Sequence, residues 1–286
     1  MKITRRSIPE YGPWPANVSP VLQRVFASRG VNNPEQAELK LANLLSPDQL
    51  SGMHNAVDLL LCAIQTQKHI VIVGDFDCDG ATGTAVAMRG LKMLGAEQLS
   101  YQVPHRILHG YGLSPALVEH IVEMKPELII TVDNGIACHA GVAAAKAHGW
   151  QVLITDHHLP GEVVPPADAI VNPNLNGDDF PSKALSGVGV MFYLLLALRK
   201  RMRDVGIFDL SIQPEPDLSS LLDLVAVGTV ADLVPLDYNN RLLVSAGIKR
   251  FRKKQCQAGL QALAEISGRD ITQLVASDIG FAIGPR

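Results

Sequence analysis

The 286-residue chain contains four cysteines, Cys62, Cys78, Cys138 and Cys256, and no CxxC pair. That scatter excludes a zinc knuckle and a disulfide framework and fits a reduced, cytoplasmic setting. No apolar run reaches the roughly 18 residues that a membrane span needs, so no membrane partner is expected. The N-terminus, MKITRRSIPEYGPWP, has basic residues but lacks the apolar core of a signal peptide. Positive charge is not in excess either. Lys and Arg number 25 against 28 Asp and Glu, a net charge of −3, so the surface as a whole is not a nucleic-acid magnet. Internal repeats and low-complexity stretches are absent. What remains, 47% hydrophobic and 19% charged residues, suits a globular enzyme of one large or two modest domains.

Basic residues do cluster in RKRMR (199–203) and KRFRKK (249–254). Such runs are ordinarily solvated helix faces, with phosphate contact as the alternative.

Against this background, three apolar runs end in aspartate: HIVIVGDFDCDG (69–80), ELIITVDNG (127–135) and QVLITDHH (151–158). Short Val/Ile/Leu runs bounded by turn residues mark strands buried on both faces, as in a parallel sheet. Strands alternate with helical stretches from residue 53 to AIVNP (169–173), which argues for a doubly wound, mainly parallel α/β sheet with flanking helices. Three regions are expected: an N-terminal helical cap over 1–50, the α/β catalytic domain over 51–240, and a helical segment over 241–286. The chain stops at FAIGPR, after an apolar run and a Gly-Pro turn, which reads as a truncation with sequence once continuing beyond it.

In an open parallel sheet the ligand sits beyond the carboxyl ends of the strands. Asp75, Asp77, Asp133 and Asp156 should therefore meet in one crevice with His157 and His158. Gathered carboxylates repel one another unless a cation holds them. Asp75 and Asp77 are two apart, so their side chains should leave the strand on one side. A calcium loop of the EF-hand type is excluded, because ATGTAVAMRG after Gly80 contains no acid. Gly80 should allow close approach of a phosphate and leave N–H groups free for it. The Asn-Gly after Asp133 should leave its carboxylate exposed at the rim; a lone Asp there would be a helix cap, but in this company it reads as a bridging ligand. Asp156 should orient an imidazole of His157 or His158 without itself touching metal. Asp223 and Asp232 both lie in apolar stretches, where a carboxylate needs a partner, and residue types alone do not choose between them. Oxygen-rich ligation with one histidine favours Mg²⁺ or Mn²⁺ over zinc, and the number of acids is enough for two ions.

GDFDCDG, TVDNG, TDHH and GTVADLVPL, in that order, resemble the four motifs of the DHH phosphoesterase superfamily. TDHHLPG, NPN, FPSKALSGVGV and ASDIGFAIGPR resemble more specifically its bacterial single-strand-specific 5′→3′ DNA exonucleases. The resemblance implies a two-metal centre for Mn²⁺ or Mg²⁺ held by Asp75, Asp77, Asp133, His157 and Asp232. It thereby selects Asp232 over Asp223. It implies that His158 contacts the scissile phosphate, that Arg106 binds DNA phosphate near the 5′ end, and that Asp79 supports the ligands from behind. The expected substrate is single-stranded DNA, cleaved to 5′ mononucleotides in repair and recombination, alongside a single-strand-binding protein and a helicase. Hydrolysis of short oligonucleotides, or a truncated core that binds metal without turnover, are the alternative expectations.

Overall fold

The computed structural model describes residue 4, residues 7–208 and residues 214–286; the rest of the expected N-terminal cap and part of the loop before PEP (214–216) lie outside them. Five strands form one all-parallel sheet: β1 (Ile70–Val73), β2 (Leu99–Gln102), β3 (Leu128–Val132), β4 (Gln151–Thr155) and β5 (Ala169–Val171). Their order is β2-β1-β3-β4-β5. The chain winds outward in one direction from β1 to β2 and in the other from β1 to β3, β4 and β5. The switch point between β1 and β3 is where such sheets open a crevice.

The apolar strands have a direct packing reason. Alternate residues face opposite sides. Ile70, Ile72, Leu128, Ile130, Val132 and Leu153 enter one core, and Val71, Val73, Ile129, Val152 and Ile154 enter a second. The helices, in chain order, are α1 (Pro20–Ala27), α2 (Pro34–Ala37), α3 (Met53–Gln65), α4 (Cys78–Met93), α5 (Pro115–His120), α6 (His139–Ala147), α7 (Gly187–Asp204), α8 (Leu222–Ala231), α9 (Tyr238–Arg252), α10 (Ala258–Ile266) and α11 (Ala276–Asp278). The first core takes residues of α3, α4, α7 and α8, and the second takes residues of α5 and α6. Both sheet faces are thus covered. Among the described residues no helix is long and apolar enough to cross a membrane.

The helix after β1 begins at Cys78, because the Asp77 side chain caps it by accepting from the Gly80 N–H at 2.9 Å. The boundary at 240/241 falls inside α9, and Leu243, Phe251, Leu260, Ile271 and Ile283 share the first core with the sheet. Residues 241–286 thus form a helical segment that contributes side chains to the α/β core.

Asn134, fully buried after β3, donates from Nδ2 to Val73 O (3.1 Å) and Val132 O (2.9 Å). It ties the ends of β1 and β3 together beneath the crevice. Replacing Asn134 with Ala should cost roughly 1–3 kcal/mol of stability, by leaving buried carbonyls short of a donor. Urea unfolding checks this, and a loss below about 0.5 kcal/mol would show that the two strand ends hold without it.

Candidate metal centre

Each acidic side chain is placed by a strand or helix terminus. Beyond β1, Gly74 leads to buried Asp75, whose Oδ1 accepts from the Phe76 N–H at 2.7 Å; exposed Asp77 then caps α4. The strand has ended before Asp75, so side-chain alternation is not what pairs the two acids; the turn into the helix does that. Beyond β3, the Asp133 N–H still reaches Thr155 O at 3.0 Å, and its φ of 63° turns the chain sharply away. Left-handed backbone is uncommon outside glycine and is a feature of constrained sites. Beyond β4 come Asp156, His157 and His158. Asp232 follows the last turn of α8, its N–H still bonded to Gly228 O at 2.9 Å.

The side chains converge. His157 Nε2 lies 3.1 Å from Asp133 Oδ1 and 3.5 Å from Asp232 Oδ2. All three of these atoms are buried without a hydrogen-bond partner. Native proteins seldom leave one buried polar atom unpartnered, let alone three facing one point. Asp75, Asp77 and Asp133 bring ligand atoms within 4.8 Å of one another, as do Asp133, His157 and His158, and Asp79, His157 and Asp232. Asp133 belongs to two of these groups, which suits a bridging position. Four carboxylates with one imidazole are a donor set for hard divalent cations.

The electrostatics point the same way. Burial, then repulsion from Asp77 and Asp156, pushes the Asp133 carboxyl up to about 9. Burial also raises Asp75 and, more strongly, Asp79, where Asp133 and Asp232 add to it. Asp232 is raised by burial despite the opposing charge of His157. A bound cation reverses these shifts by favouring the ionised forms.

Asp156 behaves differently. Burial alone would raise it, but the His158 hydrogen bond and charge, with the amides of Ile136 and His158, hold it below the usual carboxylate range. Its Oδ2 accepts from the Ile136 N–H (2.9 Å), and its Oδ1 accepts from the N–H of His157 (2.7 Å) and lies 2.7 Å from His158 Nδ1. That hydrogen bond, offset by burial, raises His158 to about 9. Asp79 takes a supporting position too. Its carboxylate accepts from the Gly187 N–H (2.7 Å) and the Val188 N–H (3.0 Å), pinning the start of α7. A Cβ on Gly187 would lie 2.5 Å from Asp133, so glycine is needed for this approach.

Other expected residues fall as follows. Asp133 is buried, not exposed at the rim, because the turn after it folds Asn134 inward. Gly80 offers no free N–H, since Asp77 occupies it, and a Cβ there would meet Asp75 at 2.5 Å; it serves packing rather than phosphate. Arg106 stacks 4.1 Å above the ring of Phe76, the residue between Asp75 and Asp77. Asp223 lies nine positions before Asp232 on α8, about 13 Å along a helix. It is fully buried and accepts from the Gln257 N–H, apart from the site. In the first basic run, Arg199 and Arg203 pair with Glu215, Lys200 with Asp48 and Arg201 with Asp58. In the second, Lys249, Arg250 and Arg252 donate to backbone carbonyls of Leu39, Gln255 and Leu274.

Several contributors went unassigned by residue pattern. Tyr111 OH donates to Asp133 O at 3.2 Å. Asn174 Nδ2 donates to His157 O at 2.6 Å and Asn172 Nδ2 to His158 O at 2.9 Å, clamping the histidine pair by its backbone. The NPN segment was the available signal for the last two. A cleft of about 460 Å³ opens beside the ligands, lined by Asp77, Asp79, Asp232, Leu233 and Phe281.

A family model described as the DHH family, N-terminal domain, matches residues 69–229. The chain belongs to the DHH family. Among curated DHH relatives, the single-stranded-DNA-specific exonuclease RecJ of Salmonella typhimurium is 52% identical over 285 residues, which is 100% of this chain and 49% of that one. A crystal structure of exonuclease RecJ bound to manganese is 39% identical with a TM-score of 0.71, matching 82% of this chain and 56% of that one. RecJ from Thermus thermophilus in complex with Mn²⁺ is 35% identical with a TM-score of 0.72, over 91% of this chain and 35% of that one. The chain spans about half the length of the curated relatives it matches.

Two outcomes follow for the DHH centre. Because Asp133 is held up to about 9 by burial and neighbouring acids, its proton must leave before a cation binds. Mn²⁺ affinity should rise with pH toward that value, with net proton release visible by titration calorimetry in buffers of different ionisation enthalpy. The metal-free fold has the opposite dependence: the stability conferred by a neutral Asp133 is present below the ordinary carboxylate range and lost as pH climbs through about 9. Flat affinity and no proton release would mean that Asp133 is already ionised. Separately, Gly187→Ala should weaken Mn²⁺ binding by about 10–100-fold, by displacing Asp133. Equal affinity would show that α7 yields without moving the ligand.

Proposed function

We propose that this chain carries the metal-binding catalytic core of a hydrolase that removes 5′ mononucleotides from single-stranded DNA. The observation that carries the reading is the trio of unpartnered buried atoms on Asp133, His157 and Asp232, with Asp75 and Asp77 alongside. The identity to single-stranded-DNA-specific exonucleases over the whole chain supports the substrate. Manganese-bound relatives and the oxygen-rich donor set support Mn²⁺ or Mg²⁺. Repair and recombination in the cytoplasm, with a single-strand-binding protein and a helicase as partners, complete the proposal.

In this reading Asp75, Asp77, Asp133, His157 and Asp232 would hold the cations. A bound pair would supply Lewis acidity for activating water and for neutralising charge on the phosphoryl group. The protein supplies the rest. His158, with Nδ1 tied to Asp156 and its ring half-exposed, keeps Nε2 as a donor for a phosphoryl oxygen. Because His158 is raised to about 9, it is cationic near neutral pH and adds charge where charge develops. Arg106, steadied on Phe76, offers a guanidinium at the rim for a terminal phosphate. Asp156 and Asp79 are positioning residues, acting through the histidine pair and through α7.

The test uses 5′-labelled single-stranded DNA with Mn²⁺ or Mg²⁺. Wild-type chain should release 5′ mononucleotides, and Asp133→Ala should reduce release at least about a hundredfold with loss of Mn²⁺ binding. His158→Ala should cost about 10²–10³ in kcat while Mn²⁺ still binds. Metal binding with no release by the wild type would reduce the chain to a core that needs partner segments for turnover. Cleavage confined to short oligonucleotides would replace the long-strand substrate with a short one.

A further inference from the structure

A groove separate from the metal cluster lies between the N-terminal segment and the loop that follows Asp232. It encloses about 570 Å³ and is lined by Phe26, Arg29, Gln36, Leu236, Asp237 and Arg241 among others. Small-molecule sites commonly enclose about 300–1,000 Å³.

Arg241 is the polar feature that needs explaining. Its Nη1 donates to Leu236 O at 3.0 Å, while Nη2 is buried without an acceptor. Burial lowers its pKa against the nearby charge of Asp237, and its guanidinium lies 5.8 Å from the centre of the Tyr238 ring, so what it lacks is an acceptor for Nη2. Arg29, exposed after the end of α1, lines the same groove. Among the described residues the arginines that pair with carboxylates are Arg199, Arg201, Arg203 and Arg269. Neither groove arginine is one of them. The carboxylate in the lining, Asp237, acts on Arg241 through its charge without forming an ion pair; its Oδ1 accepts from the Asn240 N–H (2.9 Å) and its Oδ2 from Ser182 Oγ (2.6 Å).

The remaining wall is apolar and partly aromatic. Phe26 lies against Trp14, with centroids 5.0 Å apart and planes 12° apart, and Leu39 and Leu236 continue the surface. Trp14 Nε1 and Asn32 Oδ1 are buried without partners next to this lining, an unused donor and an unused acceptor.

We propose that the groove binds a nucleoside monophosphate, its phosphate between Arg29 and Arg241 and its base along the Phe26, Leu39 and Leu236 wall. Two guanidiniums with no ion-pair partner among the described residues select the phosphate, and the aromatic–apolar wall selects a flat, largely apolar group. The choice of a nucleoside over another organic group rests on the exonuclease reading, in which this molecule is the product; the phosphate does not.

The test titrates the full chain with dAMP in EDTA and follows tryptophan fluorescence. Trp14 should report, and Trp150, the chain's other tryptophan, stacks on His148 as an internal reference. Saturable quenching is expected, weakened at least about tenfold by Arg241→Gln and by Arg29→Gln. Asp133→Asn should leave it unchanged, and deoxyadenosine should not bind. Arg29 is exposed, so its variant tests the site even if Arg241→Gln compromises folding. The proposal is overturned by absent saturation, by full affinity in Arg29→Gln, or by loss in Asp133→Asn. An oligothymidylate bound through Arg29 while dAMP is not would make this a strand site and equally overturn it. Divalent metal is chelated throughout, so failure of the nuclease assay leaves this result readable on its own.

Discussion

Repulsion among carboxylates drawn into one crevice is the constraint around which the rest of this fold is arranged. Asp75, Asp77, Asp133, Asp232 and the supporting Asp79 and Asp156 come from the ends of separate strands and helices, and most are buried. A buried carboxylate is tolerated when protonated, hydrogen-bonded or bound to a cation. Asp156 takes the second route, satisfied by three backbone amides and His158. Asp79 also has its carboxylate engaged, by the start of α7. Asp133 and Asp232 retain oxygens with no such partner, as His157 retains a nitrogen; Asp223 keeps one too, but these three converge, and that convergence is the proposed place of a cation.

Holding that geometry requires stiffness behind each ligand. The parallel sheet supplies it, because its strands are buried on both faces and cannot slip by one residue without exchanging two apolar cores. Asn134 joins two strand ends, Asn172 and Asn174 grip the histidine backbone, and Tyr111 holds the carbonyl of the left-handed Asp133. Gly187 lets a helix start against a carboxylate that any side chain would displace. The site is therefore prepared by groups outside the proposed ligand set.

Charge elsewhere is distributed by the same logic of satisfaction. The RKRMR run is ion-paired to Glu215, Asp48 and Asp58 and is a solvated helix face. KRFRKK closes α9, where cations complement the helix dipole and donate to nearby carbonyls. Neither run lines the cleft beside the candidate metal ligands; cationic groups near them include His158, Arg106 and Arg286, which shares a pocket with Asp77.

The parallel sheet and its strand-end acids were legible in the residue order, because both-face burial demands uninterrupted Val/Ile/Leu runs and open parallel sheets place their ligands at strand carboxyl ends. The four DHH motifs supplied the proposed ligand set, Asp232 included. Other features were decided only in three dimensions. The capping bond that removes Gly80 from the phosphate role, the burial of Asp133, the separation of Asp223 from the centre and the continuity of α9 across residue 240 each depend on which element ends meet. A linear pattern specifies which face a residue takes within its own element. It does not specify which helix N-terminus or asparagine from far along the chain will meet it, and that long-range pairing decides which carboxylates converge on one point and which, like Asp223, are buried apart from it.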